Sequence, residues 1–211
     1  MKLLLLGGHG IMGPHVARAL EDEYELRITD IVPIDSPHEN LRVDVADLDQ
    51  VMAAAAGVDA IVNFAVVRED HKLAFDVNTL GTYNAVRAAV EHKMERFINT
   101  GPYTAVVGPT YHDFDFDIRP EVAPHPGLRL YPLSKSAGQE VCRIFAENNP
   151  IHVLNILYFR GSDGPRWARS IKLALEVDLA DMPTKNEVFF IGADPTRLST
   201  EKNRRLLGFE W

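Results

Sequence analysis

The first 160 positions alternate between two patterns of apolar residues. Short runs in which nearly every residue is apolar, such as 3–6 and 61–65, are typical of strands covered on both faces. Between these runs, apolar residues recur at helical spacing, most clearly over 70–91. Strands that alternate with helices imply right-handed crossovers and a parallel sheet with helices on both faces. The pattern therefore predicts a doubly wound α/β fold.

These patterns also give an order of elements. The predicted strands are 3–6, 25–29, 61–65, 96–100, 152–159 and 187–191, with a short strand-like segment before Asp44. The predicted helices are 14–22, 47–56, 70–91, 131–148, 167–176 and 199–207. Asp47 is expected to cap the second helix and Gly57 to end it. Residues 103–129 are rich in Pro, Gly and His, so we expect loops there.

Composition narrows the class of protein. The 211 residues include 22 Lys plus Arg against 30 Asp plus Glu, a formal net charge of −8, and they form no basic stripe that would neutralise nucleic-acid phosphates. No run approaches the ~18 apolar residues that span a bilayer. Cys142 is the one cysteine, which excludes an internal disulfide and suits a reducing compartment. We therefore expect a cytoplasmic protein that binds neither nucleic acid nor membrane.

The segment GGHGIMG, residues 7–13, lies between the first predicted strand and the first predicted helix. Glycine at three of its positions would let the backbone approach a pyrophosphate closely, and the helix N-terminus would offer free N–H groups and partial positive charge. A tight strand-to-helix turn also favours glycine, but the place within a βαβ unit favours a dinucleotide. The candidate cofactor contacts are Gly7, Gly10, Ile11, Met12 and Gly13.

Asp30 ends the second predicted strand, 17 residues after Gly13. A carboxylate at this place accepts hydrogen bonds from both hydroxyls of an adenosine ribose and repels a 2′-phosphate. No Arg or Lys follows Asp30 directly, which favours NAD over NADP. Asp44 and Val45 are candidate adenine contacts, although Asp44 is also placed to cap the next helix, and both roles stay open.

Tyr131 and Lys135 are four residues apart in a predicted helix, so their side chains share one face. A phenol is a poor base at neutral pH, and a nearby ammonium would lower its pKa by favouring the phenolate. Tyr131 would then remove a proton from a substrate hydroxyl while the same carbon loses a hydride to the nicotinamide. Lys135 would also hydrogen-bond the nicotinamide ribose. Such pairs occur by chance in many helices, but this pair follows a dinucleotide turn.

Together these features resemble the short-chain dehydrogenase/reductase superfamily, in its extended branch of NAD-dependent epimerases, dehydratases and dehydrogenases. The resemblance covers residues 1–165, through GGHGIMG, Asp30, DVAD at 44–47, VNFA at 62–65, VNTLGTYNAV at 77–86, FINTG at 97–101, YPLSK at 131–135 and FRGSDGP at 159–165. It implies a Rossmann-like fold in which Asn63 and Ala65 line the cofactor groove and Asn78 holds the active-site end of the long helix. It also implies a homodimer, because related enzymes pair helices of this kind across a dimer axis.

The stretch after the fourth predicted strand departs from that branch. A serine or threonine there usually hydrogen-bonds the reacting oxygen, but residues 99–105 read NTGPYTA and lack the usual serine pair. Alignment from the strand side favours Thr100 or the two residues after it, and alignment from Gly108 favours Tyr103 or Thr104. We choose Thr104 first and keep Thr100 as the second candidate.

The length after residue 160 also departs from the branch. We divide the chain into an NAD-binding domain at 1–160 and a small substrate-binding lobe at 161–211 packed on it. So short a lobe suits a small substrate, such as a free sugar or a uronic acid. Guanidinium groups pair bidentately with acidic groups, and the candidates are Arg68, Arg160, Arg166 and Arg169.

The resemblance and the residues favour an NAD-dependent oxidoreductase of the epimerase/dehydratase type that acts on a sugar or nucleotide-sugar, with Tyr131 as the acid/base. One alternative is a free sugar or uronate dehydrogenase that releases NADH. Another is a non-catalytic NAD-binding sensor, a class that commonly loses the Tyr/Lys pair. The eight histidines show no paired metal-ligand spacing, so we expect no metal.

Overall fold

The computed structural model describes residues 1–111, 118–159, 163–192 and 198–210. The strands in these ranges are β1 Lys2–Leu6, β2 Glu25–Asp30, β3 Glu39–Arg42, β4 Ala60–Asn63, β5 Arg96–Pro102, β6 His152–Tyr158 and β7 Asn186–Ile191. The α-helices there are α1 Gly13–Leu20, α2 Leu48–Ala55, α3 His71–Phe75, α4 Gly81–Glu91, α5 Leu130–Asn148 and α6 Gly164–Glu176. None of the described helices is long and apolar enough to cross a membrane.

The described strands form one parallel sheet in the order β3-β2-β1-β4-β5-β6-β7. Residues of α1 and α6 pack on one face, and residues of α2, α4 and α5 pack on the other. The predicted doubly wound, Rossmann-like α/β fold is confirmed. Because the strand order reverses between β1 and β4, their carboxyl ends border the crevice where open α/β sheets bind ligands.

The run of four leucines in β1 shows why the sequence pattern works. All four side chains are fully buried, and successive residues point to opposite faces of the sheet. Leu3 and Leu5 pack with the α1 and α6 side, whereas Leu4 and Leu6 pack with the α2, α4 and α5 side. A continuous apolar run is therefore what a strand between two helical layers requires.

The predicted helix at 70–91 begins as expected but is not a uniform α-helix. Asp70 caps it, since its carboxylate accepts a hydrogen bond of 2.8 Å from the Leu73 N–H. Residues Asp76–Leu80 then form a π-helical turn between α3 and α4. Apolar spacing does not reveal such an inserted residue, because the helical pattern continues on both sides of it. The predicted helix at 199–207 likewise contains a π turn, at Asn203–Leu207.

The residues after 160 extend the same sheet. β7 pairs with β6 over six positions, and α6 packs against α1. Arg96 at the start of β5 donates to the carbonyl oxygens of Ala174 and Val177, at 2.6 and 2.8 Å, and so caps the C-terminus of α6. The described part of the predicted lobe therefore adds one strand to the sheet and one helix that covers a face of it.

Candidate active site

A cleft of about 730 Å³ opens at the carboxyl ends of the central strands. Its walls come from the glycine turn, the ends of β2 and β5, the segments after β3 and β4, α5 and α6. The sequence-predicted residues among its lining are Gly7, Gly10, Ile11, Met12, Asp30, Asp44, Val45, Ala65, Thr100, Tyr131 and Lys135. Residues distant in the sequence are thus brought to one concave site.

The glycine turn is closed by contacts that only glycine permits. Gly7 has a positive φ of 68°, and a Cβ there would lie 2.7 Å from the Ala65 backbone. A Cβ on Gly13 would lie 1.9 Å from the Gly8 carbonyl oxygen. Met12 precedes α1 without a side-chain cap, so no side chain at that position competes for the N–H groups of the first turn. The turn therefore fits an anionic group at the helix N-terminus.

Asp30 is held by two backbone N–H groups at the edge of the cleft. Its carboxylate accepts hydrogen bonds from His9 N–H at 3.1 Å and from Ile31 N–H at 2.8 Å. Arg42 is the register partner of Asp30 across β2 and β3, and its Nε donates to the Ile31 carbonyl oxygen at 3.0 Å. Sequence adjacency did not indicate this arginine, because the strand pairing brings it beside Asp30.

Asp44 lies in the cleft lining and does not cap α2. Its carboxylate accepts a hydrogen bond from Ala46 N–H at 2.9 Å, whereas Asp47 accepts the hydrogen bonds from Asp49 and Gln50 at the start of α2. Val45 lines the cleft as well, and its carbonyl oxygen accepts a hydrogen bond from Asn84. Asp47 therefore caps α2, and of the two roles considered for Asp44 the adenine contact stays the prediction.

Lys135 is buried within α5, and its ammonium points to the segment after β4. Nζ donates a 2.8 Å hydrogen bond to the Ala65 carbonyl oxygen. Burial lowers the pKa of Lys135 to about 8, because desolvation penalises the charged form. Cys142 lies on the same helix, fully buried among apolar side chains, and burial raises the pKa of its thiol to about 12. That thiol is therefore protonated and unreactive at neutral pH.

Tyr131 is half-buried in the cleft beside Arg68. The Arg68 guanidinium lies over the Tyr131 ring, 5.2 Å from its centroid. Burial raises the pKa of Tyr131, and the Arg68 charge acts in the opposite direction. Arg68 is the cation that lowers the pKa of Tyr131 in this structure, and the effect of Lys135 on that pKa stays a prediction.

Asn63 and Asn78 lie behind the cleft wall and position it. Asn63 is buried, and its side-chain oxygen accepts a hydrogen bond from Ala65 N–H. Asn78, within the π turn, accepts from Val67 N–H at 3.0 Å and donates to the Val67 carbonyl oxygen at 2.6 Å and to Ser134 Oγ at 2.9 Å. Neither asparagine lines the cleft, so both act by holding the segment 65–68.

The two threonine candidates are placed differently. Thr100 lines the cleft and donates from Oγ1 to the Asn63 carbonyl oxygen at 2.7 Å. Thr104 lies in the 3₁₀ turn Tyr103–Ala105, away from the cleft lining. The alignment from Gly108 favours Thr104. Thr100 lines the cleft instead, because β5 continues to Pro102 and Thr100 lies near its carboxyl end.

Of the four arginines named for an acidic group, Arg68 lines the cleft. Arg166 pairs with Asp163 at 2.7 Å, and Arg169 donates to the Glu210 carbonyl oxygen and lies over the Phe209 ring. Arg160 lies outside the described residues. Sequence analysis missed a second group of lining residues, because apolar side chains at strand ends and helix faces are also typical of a core. These are Phe64, Leu73, Val77, Tyr158, Phe159 and Trp167.

Comparisons with known proteins agree with this architecture. Among curated relatives, uronate dehydrogenase of Pseudomonas putida is 30% identical over 164 residues, which cover 74% of this chain and 59% of that protein. The 3-beta-hydroxysteroid dehydrogenase of Mycolicibacterium neoaurum is 33% identical over 122 residues, 51% of this chain and 33% of that protein. The chain thus spans between a third and about three fifths of the length of these two relatives.

Solved structures share the fold at lower identity. Uronate dehydrogenase from Agrobacterium tumefaciens superposes with a TM-score of 0.84 at 21% identity, over 99% of this chain and 83% of that one. UDP-glucuronic acid 4-epimerase from Bacillus cereus, in complex with NAD, gives 0.79 at 16% identity, over 100% and 93%. The model of the NAD-dependent epimerase/dehydratase family matches residues 3–166. That match extends from β1 through the glycine turn and the Tyr131 helix to the start of α6, and the chain therefore belongs to the NAD-dependent epimerase/dehydratase family.

Proposed function

We propose that the chain forms the active site of an NAD-dependent oxidoreductase of the epimerase/dehydratase type, which acts on a sugar or nucleotide-sugar with Tyr131 as the acid/base. One observation supports this more than any other. A single cleft is lined both by the glycine turn with Asp30 and by Tyr131 with Lys135. A dinucleotide subsite and a proton-transfer group therefore meet in one place.

The residues present fit NAD. The uncapped first turn of α1 and the close-packed glycine turn suit a pyrophosphate, and the Asp30 carboxylate suits the adenosine ribose. Lys135 is the candidate for the nicotinamide ribose. Bound NAD would supply the hydride acceptor, and Tyr131 would take the hydroxyl proton as the substrate carbinol is oxidised to a carbonyl group.

Tyr131 would perform the proton transfer with help from the neighbouring charge. The phenolate form removes the substrate proton, and the Arg68 guanidinium over the ring favours that form against the effect of burial. We assign the role of holding the reacting oxygen to Thr100 rather than Thr104. Thr100 lines the cleft, and its hydroxyl, which donates to the Asn63 carbonyl oxygen in this structure, would rotate to donate to the reacting oxygen while the single proton of the substrate hydroxyl passes to Tyr131.

The first experiment is to denature the purified protein and quantify any nicotinamide cofactor released. Near-stoichiometric NAD supports an enzyme that recycles its cofactor within each turnover, and nucleotide-sugars are then screened for epimer formation. Cofactor-free protein supports exchange in every cycle, and NADH absorbance is then followed with free sugars and uronic acids. Copurified NADP would contradict the assigned role of Asp30.

The second candidate is a free sugar or uronate dehydrogenase. It is favoured by the similarity to uronate dehydrogenase over 74% of this chain. NADH that accumulates in proportion to a free uronic acid supports this candidate over an epimerase, which regenerates NAD. The variant Tyr131→Phe distinguishes an enzyme from a non-catalytic sensor. In an enzyme this variant loses most of the turnover but still binds NAD. A sensor has no turnover to lose, and its NAD binding is unchanged.

We also propose that the protein is a homodimer. Large apolar side chains are exposed on the helices predicted to pair: Phe75, Leu80, Leu133 and Ile144. Light scattering at micromolar concentration is expected to give twice the 23.6 kDa of one chain, and the mass of one chain would contradict the proposal. The cytoplasmic location stays a prediction, from the single cysteine.

A further inference from the structure

The cleft wall beside Tyr131 presents a positive charge that the protein does not neutralise. Arg68 lines the cleft and is exposed, and none of the ion pairs found among the described residues includes it. The whole chain has a net charge of −8, which repels an anionic ligand at long range. A local cation in the cleft would compensate for that repulsion where the ligand binds.

The backbone that carries Arg68 is fixed to the helix that carries Tyr131. Asn78 binds both the N–H and the carbonyl oxygen of Val67, the residue before Arg68, and the same side chain donates to Ser134 Oγ on α5. Thr79 Oγ1 also donates to the Ser134 carbonyl oxygen at 2.9 Å. The backbone segments that carry Arg68 and Tyr131 are therefore fixed to each other by hydrogen bonds.

We propose that Arg68 is a specificity-determining residue that binds an oxyanion carried by the substrate, a carboxylate or a phosphate ester, within one sugar unit of the hydroxyl that reacts at Tyr131. The inference rests on the proposed function, because the distance that matters is the one between guanidinium and phenol. A guanidinium suits either group, since its planar fork pairs bidentately with carboxylate and phosphate. A neutral sugar offers no such partner and binds more weakly.

The substrates that test this are matched by ring stereochemistry. D-galacturonate, D-galactose 6-phosphate and D-galactose form one set, and the corresponding gluco compounds form a second. We expect one of the two acidic forms to show a KM at least about tenfold below that of its neutral parent. The acidic form that is preferred identifies carboxylate or phosphate as the group recognised.

The variants are Arg68→Met, Arg68→Lys and Arg143→Met. Arg143 makes its ion pairs on the outer face of α5, so its loss changes the net charge equally without touching the cleft. Arg68→Met is expected to raise KM for the acidic substrate at least about tenfold and to change KM for the neutral sugar less than about twofold. Arg68→Lys should restore part of the difference, and Arg143→Met should resemble the parent protein.

A binding measurement separates failure of this inference from failure of the proposed function. Thermal stabilisation of the NADH-loaded protein by each compound is compared between the parent and Arg68→Met. Stabilisation by an acid that is lost in Arg68→Met, without turnover of any compound, supports the Arg68 site and contradicts the free sugar or uronate dehydrogenase candidate. Equal effects of Arg68→Met on acidic and neutral compounds, or no binding of any acid, overturn the role of Arg68.

Discussion

At the scale of a single residue, Lys135 has a proposed role in catalysis and also destabilises the folded state. Its side chain is 2% exposed and donates to a carbonyl oxygen, which is a dipole and not a counter-charge. An ammonium in that environment is poorly solvated, which is why its pKa falls to about 8. The sequence predicted the residue and its helix face. It did not reveal that Ala65 would hold Nζ, because that contact joins positions 70 residues apart.

We expect Lys135→Met to abolish turnover and to stabilise the fold at pH 7, by about 2 kcal/mol, because it removes a buried charge at similar volume. In the parent protein Lys135 has a pKa of about 8 when folded and the ordinary 10.5 when unfolded, so the unfolded state binds more protons between these values. Stability of the parent therefore rises across that window, and the advantage of the variant shrinks. Urea unfolding at pH 7 and pH 9.5 measures both effects. An equal advantage at the two pH values would contradict a lowered pKa of Lys135 in the folded protein.

Arg68→Met should also change the pH dependence of catalysis. The phenolate of Tyr131 is the active base, so the rate of substrate oxidation rises with pH through the pKa of Tyr131. Arg68 lowers that pKa, and its removal is expected to move the rising limb of kcat/KM to higher pH. Arg143→Met serves as the charge-matched control and should leave the limb in place. An unshifted limb in Arg68→Met would mean that Tyr131 does not sense the guanidinium.

At the scale of elements, apolar spacing predicted most strands and helices because each buries a face against the sheet. Asp47 caps α2 as expected, and β1 has the two-sided burial that its leucines indicate. Spacing did not predict the π turn at Asp76–Leu80, which depends on side-chain contacts of Asn78 with two distant segments. The placement of Thr100 rather than Thr104 at the cleft likewise depends on where β5 ends, which neither alignment anchor determines.

The glycines of the turn at 7–13 are expected to have two functions, close backbone packing and contact with NAD. Substitutions at different glycines should separate these functions. Gly13→Ala would place a Cβ 1.9 Å from the Gly8 carbonyl oxygen, and we expect it to destabilise the fold by about 3 kcal/mol. Gly10→Ala would place a Cβ 3.3 Å from the Gly7 carbonyl oxygen, a contact that a small shift relieves. We expect Gly10→Ala to keep a nearly native Tm but to weaken NAD binding at least about tenfold, because Gly10 lines the cleft where the pyrophosphate would lie. Thermal unfolding and quenching of Trp167 fluorescence by NAD measure the two properties; native NAD affinity in Gly10→Ala would contradict this assignment.

At the scale of the whole molecule, the C-terminal residues are joined to the sheet by charge as well as by strand pairing. Glu187 in β7 is nearly buried, and its carboxylate accepts hydrogen bonds from Thr184 and pairs with Lys202 at 2.5 Å. Lys202 also pairs with Glu121, in the segment before α5. The Lys202–Glu121 pair crosses the division at residue 160, whereas Lys202 and Glu187 both lie after it. A separate lobe would unfold independently, whereas one shared sheet would unfold as a unit.

We expect Lys202→Met to destabilise the protein by about 3 kcal/mol, since it leaves the Glu187 carboxylate buried without its counter-charge. The double variant Glu187→Gln with Lys202→Met should recover part of that loss, because an amide oxygen still accepts the Thr184 hydrogen bonds without a buried charge. Urea unfolding is followed by far-UV circular dichroism and, in a Trp211→Phe background, by the fluorescence of Trp167 in α6. Coincident transitions in all three proteins are the expected result for a single cooperative unit. An earlier fluorescence transition in Lys202→Met alone would instead show that the residues after 160 unfold separately once the Lys202–Glu121 pair across the division is lost.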